Sequence, residues 1–278
     1  MIIETNKILP EISHTGSKVE IKEGKEKIVV FWKNKRRHPT PIEIPVSLQF
    51  TEELISLMGF WLGDGLKSSK GGSSRTVAFT NSEPQIVKWA MKIFEIFNIE
   101  KEKLSASVSL RATSEVNIEE VKEFWSKITG IPKDIISVNA RKSLRKNLRN
   151  LPRPKKFGSI KIEFHSAVLR DVVISLLGFC KKIALTKKEF AVSFLKGLLA
   201  ADGSAVSDGR TKRVVICCMS EVNKKFIKQL LNVCQINSKE RKDGVEIRGE
   251  AELLKLKELN IFELHPERNR RFLNFFSF

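Results

Sequence analysis

The chain of 278 residues has no apolar run approaching the length of a membrane span, and its start, M-I-I-E-T-N-K, lacks the apolar core of a secretion signal. Those two absences exclude a membrane-spanning role and lead to the expectation of a soluble, intracellular protein. Cysteine is scarce: Cys180, Cys217, Cys218 and Cys234 fit neither a zinc knuckle nor a redox pair, and intracellular cysteines of this kind pack as small hydrophobes. Histidine is equally scarce, and His14, His38, His165 and His265 form no ligand pattern. Acid is in short supply too, with 32 Asp and Glu against 50 Lys and Arg for a formal net charge of +18. A surface adapted to heat would carry both signs, so a surplus of one sign calls for a polyanionic partner. Hydrophobic residues at 41% rule out a disordered polycation, and the length allows one large domain or two modest ones.

What the chain does have is a repeated stretch. Leu57–Gly65 reads L-M-G-F-W-L-G-D-G and Leu195–Gly203 reads L-K-G-L-L-A-A-D-G, with Asp64 and Asp202 lying 138 residues apart. Thr51 with two acids behind it signals the start of the first helix, and T-K-K-E from Thr186 has the form of a capping box for the second. Gly59 and Gly63 share one helical face, where a second backbone could approach closely. Gly65 and its counterpart Gly203 are read as helix ends, with Gly65 expected to be left-handed. Each helix therefore delivers an aspartate to its own C-terminus, a poor place for an anion unless a cation binds there. The segments that follow repeat at the same offset: V-A-F-T-N-S-E from Val77 matches V-I-C-C-M-S-E from Val215, and helices at Gln85–Phe97 and Asn223–Val233 come next. A duplication with pseudo-twofold symmetry is the simplest account.

The two stretches resemble the signature of the LAGLIDADG homing endonucleases in their single-chain, two-motif form. The resemblance covers roughly residues 40–250 and rests on Leu57, Gly59, Asp64 and Gly65 in the first copy, and on Leu195, Gly197, Leu198, Ala201, Asp202 and Gly203 in the second. The stretch from Glu123 to Lys133, followed by K-I-E-F-H-S-A-V-L from Lys161, resembles the first half of archaeal members. The resemblance implies an α+β fold: a duplicated αββαββα unit with two antiparallel four-stranded sheets forming a DNA-binding saddle, and the motif helices at the central interface. It also implies a linker near 178–188.

In order along the chain, residues 1–48 are an N-terminal extension in which Lys18–Lys22 and Lys27–Trp32 could pair around Glu23-Gly24. A basic run, Lys33 to Arg37, and Pro39, Pro41 and Pro45 lead into residues 49–177, the first half. There Gly71-Gly72 turns between strands at Leu66–Lys70 and Arg75–Thr80, presenting Lys67, Lys70 and Arg75, while Leu104–Ala112 alternates Ser105, Ser107, Ser109 and Arg111 on one face. Basic groups holding phosphates beside short hydroxyls at base edges are the chemistry of a β-ribbon on DNA. A basic insertion, 114–158, contains a helix at Ile118–Thr129 and then eight basic residues from Arg141 to Lys156 without an acid, Arg141, Lys142, Arg145 and Lys146 among them. Ser166–Leu185 is read as a helix joining the halves. The second half, 189–278, turns at Ser207-Asp208-Gly209 and at Asp243-Gly244 and displays Arg210, Lys212, Arg213, Lys239, Arg241, Lys242 and Arg248. Its tail from Ile261, apolar-aromatic and basic, is expected to fold back on the body.

If the motif helices pack side by side, Asp64 and Asp202 meet, together with the carbonyls at Gly63 and Ala201. Close carboxylates and orphan helix carbonyls repel unless divalent cations neutralise them. Hard oxygen ligands with room for water and phosphate describe Mg²⁺, which can activate water and stabilise the leaving oxygen in phosphodiester hydrolysis. The resemblance implies the same: one aspartate per motif and Mg²⁺-dependent cutting of both strands, with Mn²⁺ able to substitute and Ca²⁺ supporting binding alone. The halves differ, so a monomer acting on a long asymmetric duplex is expected, in the cytoplasm at a prokaryotic nucleoid. One departure from the family pattern is evident. Where many members end the next strand with Lys or Gln, this chain has Thr80-Asn81 and Cys218-Met219. Asn81 could position water, Met219 cannot, and Lys67, Arg111, Lys212 and Arg248 are candidate cations among which the sequence does not choose. The favoured reading is a site-specific double-strand DNA endonuclease of the intron-homing kind. The alternative is an impaired relative acting as an intron RNA maturase or a DNA-binding regulator. Both aspartates favour the first and Met219 the second; a regulator would more naturally carry an added helix-turn-helix, and no clear one is visible. An intein-borne enzyme fits poorly, because the chain begins with Met1 and ends N-F-F-S-F.

Overall fold

The computed structural model of the chain describes residues 2–9, 18–33, 41–65, 76–112, 117–142, 157–209 and 211–277. It opens with strands β1 (Ile2–Glu4), β2 (Lys18–Glu23), β3 (Lys27–Lys33), β4 (Ile42–Pro45) and β5 (Ser47–Gln49), which precede helix α1 (Glu52–Asp64). Then come β6 (Thr76–Asn81), α2 (Pro84–Ala90), α3 (Lys92–Ile96), β7 (Ser105–Ala112), α4 (Ile118–Thr129), β8 (Ile136–Lys142), β9 (Ser159–His165) and α5 (Ala167–Ala184). The remainder is α6 (Lys188–Asp202), β10 (Gly203–Ser207), β11 (Lys212–Cys217), α7 (Glu221–Val233), β12 (Lys239–Arg241), β13 (Gly244–Arg248), α8 (Glu250–Glu258) and α9 (Pro266–Leu273). Two units gather these elements: Met1–Pro10 with Val46–Asp64 and Val172–Phe278, and Glu11–Pro45 with Gly65–Asp171.

In the first unit α1 lies along α6, and both helices are apolar nearly all round, as two helices buried on several sides must be. Thr51 caps α1, its Oγ1 accepting the Leu54 N–H at 3.1 Å. The corresponding cap on α6 does not form. Thr186 instead donates its hydroxyl to the Ile183 carbonyl at 2.7 Å, closing the turn that ends α5, and α6 begins at Lys188 without a side-chain cap. Behind α6 stands a sheet of order β10-β11-β13-β12, antiparallel throughout. Its inner face, Val214, Ile216, Val245 and Ile247, is fully buried, as are Phe226, Ile227, Leu230 and Leu231 of α7. Both expected turns are present, and Gly209 takes φ 86° in the first of them. β1 pairs with β5 as a separate antiparallel ribbon.

The second unit holds two sheets. One is the meander β2-β3-β4, in which the hairpin around Glu23-Gly24 forms as its alternation predicts. The other has order β6-β9-β7-β8. Its inner face is Val77, Phe79, Ala106, Val108, Leu110, Ile160 and Ile162, all buried. The pairs β6–β9 and β9–β7 are antiparallel, but β8 joins the edge parallel to β7. This departs from a wholly antiparallel sheet, and the insertion is the reason: β7, α4 and β8 make a crossover, and a strand returning through a helix arrives parallel. Asn117 caps α4 by accepting N–H groups of Glu119 and Glu120, and Gly130 closes it at φ 72°. Trp125 on α4 is fully buried and donates to the Phe157 carbonyl at 2.8 Å. The helix expected at Gln85–Phe97 is divided at Met91 into α2 and α3; of the stripe Ile86, Trp89, Ala90, Ile93 and Phe97 expected to be core, all are buried except Trp89, which is half-buried. Among the described residues, no helix is long and apolar enough to cross a membrane.

Candidate carboxylate site and sheet surfaces

Glycine is what brings the two motif aspartates together. A Cβ on Gly59 would lie 2.1 Å from the Phe194 carbonyl oxygen, and one on Gly63 would lie 2.4 Å from the Ala201 Cβ and 3.2 Å from Asp202 Oδ2. The helices therefore touch backbone to backbone, and the Asp202 carboxylate rests against the last turn of α1. Ser56 reinforces the register, donating to the Ser193 carbonyl at 2.8 Å. Gly203 differs from a left-handed helix end: it is extended (φ −82°, ψ 150°) and leads straight into β10. Gly65 likewise makes an antiparallel bridge to Phe79 and not a helix cap. At Gly203 the requirement is space, since a Cβ would sit 2.6 Å from the Leu199 carbonyl. Asp64 and Asp202 are both half-buried.

A cation that sequence reasoning missed stands at this site. Arg268 on α9 donates from Nη1 to the Leu199 and Ala200 carbonyls at 2.5 and 2.8 Å, and from Nη2 to the Ala201 carbonyl at 2.9 Å. The guanidinium thus satisfies the orphan carbonyls of the last turn of α6, the turn that carries Asp202. Burial pulls its pKa below the ordinary arginine value, while the charges of Asp64 and then Asp202 pull it up. The tail does fold back: His265 caps α9 by accepting the Arg268 N–H, and Phe272 and Phe275 are buried. The signal available in the sequence was H-P-E-R, a proline at the first helical position followed by arginines.

The outer face of the sheet β10-β11-β13-β12 carries a charge cluster. Glu246, buried, accepts from Arg241 Nη1 at 2.6 Å and from Arg248, and Arg213 Nε lies 3.8 Å away. Arg213 also pairs with Asp208 at 2.9 Å, and Arg241 with Asp243 at 3.2 Å. Burial pushes the Glu246 carboxyl up, but hydrogen bonds from Arg248 and Arg241 outweigh it and hold the group below the usual carboxylate range. Lys239 pairs in register with Glu246 and so shares this face. Lys212 does not: its amine donates to the Phe275 carbonyl and ties down the tail. Lys242 is exposed in the β12–β13 turn.

The outer face of β6-β9-β7-β8 is different in kind. Register places Thr76, Thr80, Ser105, Ser107, Ser109, Ser137, Asn139, Ser159, Lys161 and Glu163 together on it, a carpet of hydroxyls and one amide beside the Lys161–Glu163 ion pair. Arg111 and Arg141 are partners on the adjacent strands β7 and β8, with Lys142 next along β8. Asn81 ends β6 with its Oδ1 accepting the Glu83 N–H at 2.8 Å, so its amide oxygen is engaged in the turn into α2. Met219, after β11, is 75% exposed and offers no hydrogen-bond donor. Lys67, Lys70, Arg75, Arg145, Lys146 and Arg210 lie outside the described residues.

Together these features define a class: a two-motif α+β protein whose paired helices end in aspartates and whose sheets present polar outer faces. Residues 189–260 match the LAGLIDADG-like domain. No curated protein matches the chain. Among solved structures, the N-terminal LAGLIDADG domain of DUF199/WhiA is 16% identical over 76% of this chain and 85% of its own, with a TM-score of 0.40. Mesophilic variants of the homing endonuclease I-DmoI give 11% over 74% and 87%, with a TM-score of 0.40. I-DmoI in complex with DNA and Mn gives 14% over 75% and 97%, with a TM-score of 0.41.

Proposed function

We propose that the protein binds double-stranded DNA through the outer faces of its sheets and hydrolyses phosphodiesters at Asp64 and Asp202. The observation that carries this reading is the glycine-mediated contact that sets the Asp202 carboxylate against Gly63, one residue from Asp64. A structural role alone does not call for two aspartates at the negative ends of two packed helices. The donor set suits a hard divalent cation such as Mg²⁺: two carboxylates and nearby main-chain oxygens, with no third His, Cys, Asp or Glu converging among the described residues. Such a site leaves coordination positions to water and phosphate. When bound, the ion supplies activation of water and stabilisation of the leaving oxygen. Asp64 and Asp202 would hold it, and the sheet surfaces would position the duplex. A formal charge of +18 supports a nucleic-acid partner, and such a chain would work in the cytoplasm, where a prokaryotic chromosome lies.

A second reading, DNA binding without cleavage, draws on Met219 and on the guanidinium of Arg268 beside the carboxylates. One assay separates the two. The native chain and the Asp64→Asn and Asp202→Asn variants are incubated with a library of long random duplexes in Mg²⁺ and in Ca²⁺. A single long site cut only in Mg²⁺, and lost or reduced to nicking in the variants, establishes the nuclease. Tight, selective binding with no cut in any metal sinks it in favour of the second reading, and preference for structured RNA over duplex DNA overturns both.

A further inference from the structure

We propose that Arg268 is a built-in counter-cation of the Asp64–Asp202 pair and competes with divalent metal for it, so that helix α9 sets the metal affinity of the site. This rests on the reading of the two aspartates as the metal-holding pair. Three observations converge on it. The guanidinium uses two of its nitrogens on three successive carbonyls of the α6 end, among them Ala201, the residue before Asp202. A main-chain oxygen engaged by a guanidinium is a weaker ligand for a cation, and a fixed positive charge beside the site repels a second one.

The arginine is also held in place. His265 caps α9, Phe272 packs edge-to-face on Phe275 with ring centroids 5.6 Å apart, and Lys212 grips the Phe275 carbonyl. An arginine on a loose tail would be displaced by any ion; one on an anchored helix is not displaced without cost to the anchor. Finally, both aspartates act on Arg268 electrostatically. A fixed positive charge therefore stands on the Ala201 carbonyl, within the electrostatic reach of both carboxylates.

The test measures metal binding on the full chain without DNA, following the free Mn²⁺ signal by electron paramagnetic resonance. Arg268→Met is expected to bind Mn²⁺ at least tenfold more tightly than the native chain, and the gain is expected to vanish when Asp64→Asn and Asp202→Asn are added. Arg268→Lys keeps the charge and is expected to stay near the native affinity, although it loses the fork. Phe272→Ala, which loosens the anchor while retaining the arginine, is expected to move affinity in the same direction as Arg268→Met, and it serves if that variant does not fold. A merely structural arginine would alter stability without this aspartate-dependent gain. Arg268→Met and Phe272→Ala binding Mn²⁺ no tighter than the native chain would overturn the proposal, as would a gain that survives loss of both aspartates. Tighter binding with no cleavage by any variant leaves the competition standing and removes the nuclease reading alone.

Discussion

Gly197 faces the Ser56 carbonyl so closely that a Cβ placed on it would lie 1.7 Å from that oxygen and 2.8 Å from the Phe60 nitrogen. Both atoms are backbone in the middle of α1, so nothing can rotate out of the way. Gly197→Ala must push the helices apart, and a cost of at least about 3 kcal/mol is expected from overpacking of this severity. Gly178, in the interior of α5 with nothing within 4 Å of its Cβ position, is the control. There alanine should stabilise by up to about 1 kcal/mol through helix propensity alone. Urea unfolding of the two variants checks both signs, and a Gly197→Ala protein as stable as the native chain would refute the close contact.

The motif helices were legible in the sequence because their information is local and repeated: an N-cap, glycines four apart, and Asp-Gly at the end of each. The second-half hairpins were legible for the same reason, since turn residues sit between alternating runs. Arg268 was not, because its partners lie 67 to 69 residues away and no periodicity links a tail arginine to a helix end. The edge strand Ile136–Lys142 was hidden by its own composition. Its last residues, Arg141 and Lys142, also open a basic run, and that charge masks the alternation that makes it a strand. Thr186 shows the converse error, in which a good local pattern lost to another local partner, the Ile183 carbonyl.

Glu246 should make stability depend on pH in a known direction. Its folded-state value lies below the ordinary 4.5, so the unfolded chain takes up the proton more readily. The stability it contributes is complete above that ordinary value and is lost as pH falls through the lower folded one. Glu246→Gln is expected to unfold at lower temperature than the native chain at pH 7, with the difference shrinking below about pH 4.5. Thermal unfolding followed from pH 7 to pH 3 checks this. A difference that widens in acid would mean that the arginines do not hold the carboxylate.

The cysteines divide into two pairs. Burial pushes Cys180 up to about 12 and Cys234 up to about 11, and both are enclosed. Cys217 is exposed and Cys218 half-buried at the end of β11. Since the thiolate is the reactive form, a thiol reagent at pH 8 should label at most Cys217 and Cys218 in the native protein and all four after denaturation. A Cys217→Ser/Cys218→Ser protein should take no label until it unfolds. Native labelling of Cys180 in that variant would show that α5 opens without global unfolding.

The two sheet faces predict two different kinds of DNA contact, separable by salt. Arg248 is half exposed at the side chain and anchored to Glu246 through one edge of its guanidinium, leaving the rest available to a phosphate. Each phosphate neutralised releases counterions, so Arg248→Ala should weaken binding to all duplexes alike and reduce the slope of log affinity against log salt by about 1. Asn139, exposed on the hydroxyl-lined face between Ser137 and Arg141, has an amide able to pair with an adenine edge. Asn139→Ala should leave the salt slope unchanged while costing about 1–3 kcal/mol on the preferred sequence and little on random DNA. Titrations of both variants against the preferred and a scrambled duplex at several salt concentrations distinguish the roles. If Asn139→Ala lowers affinity for both duplexes equally, or changes the salt slope, the hydroxyl-lined face does not read bases, and selectivity has to come from the arginine face or from deformation of the duplex.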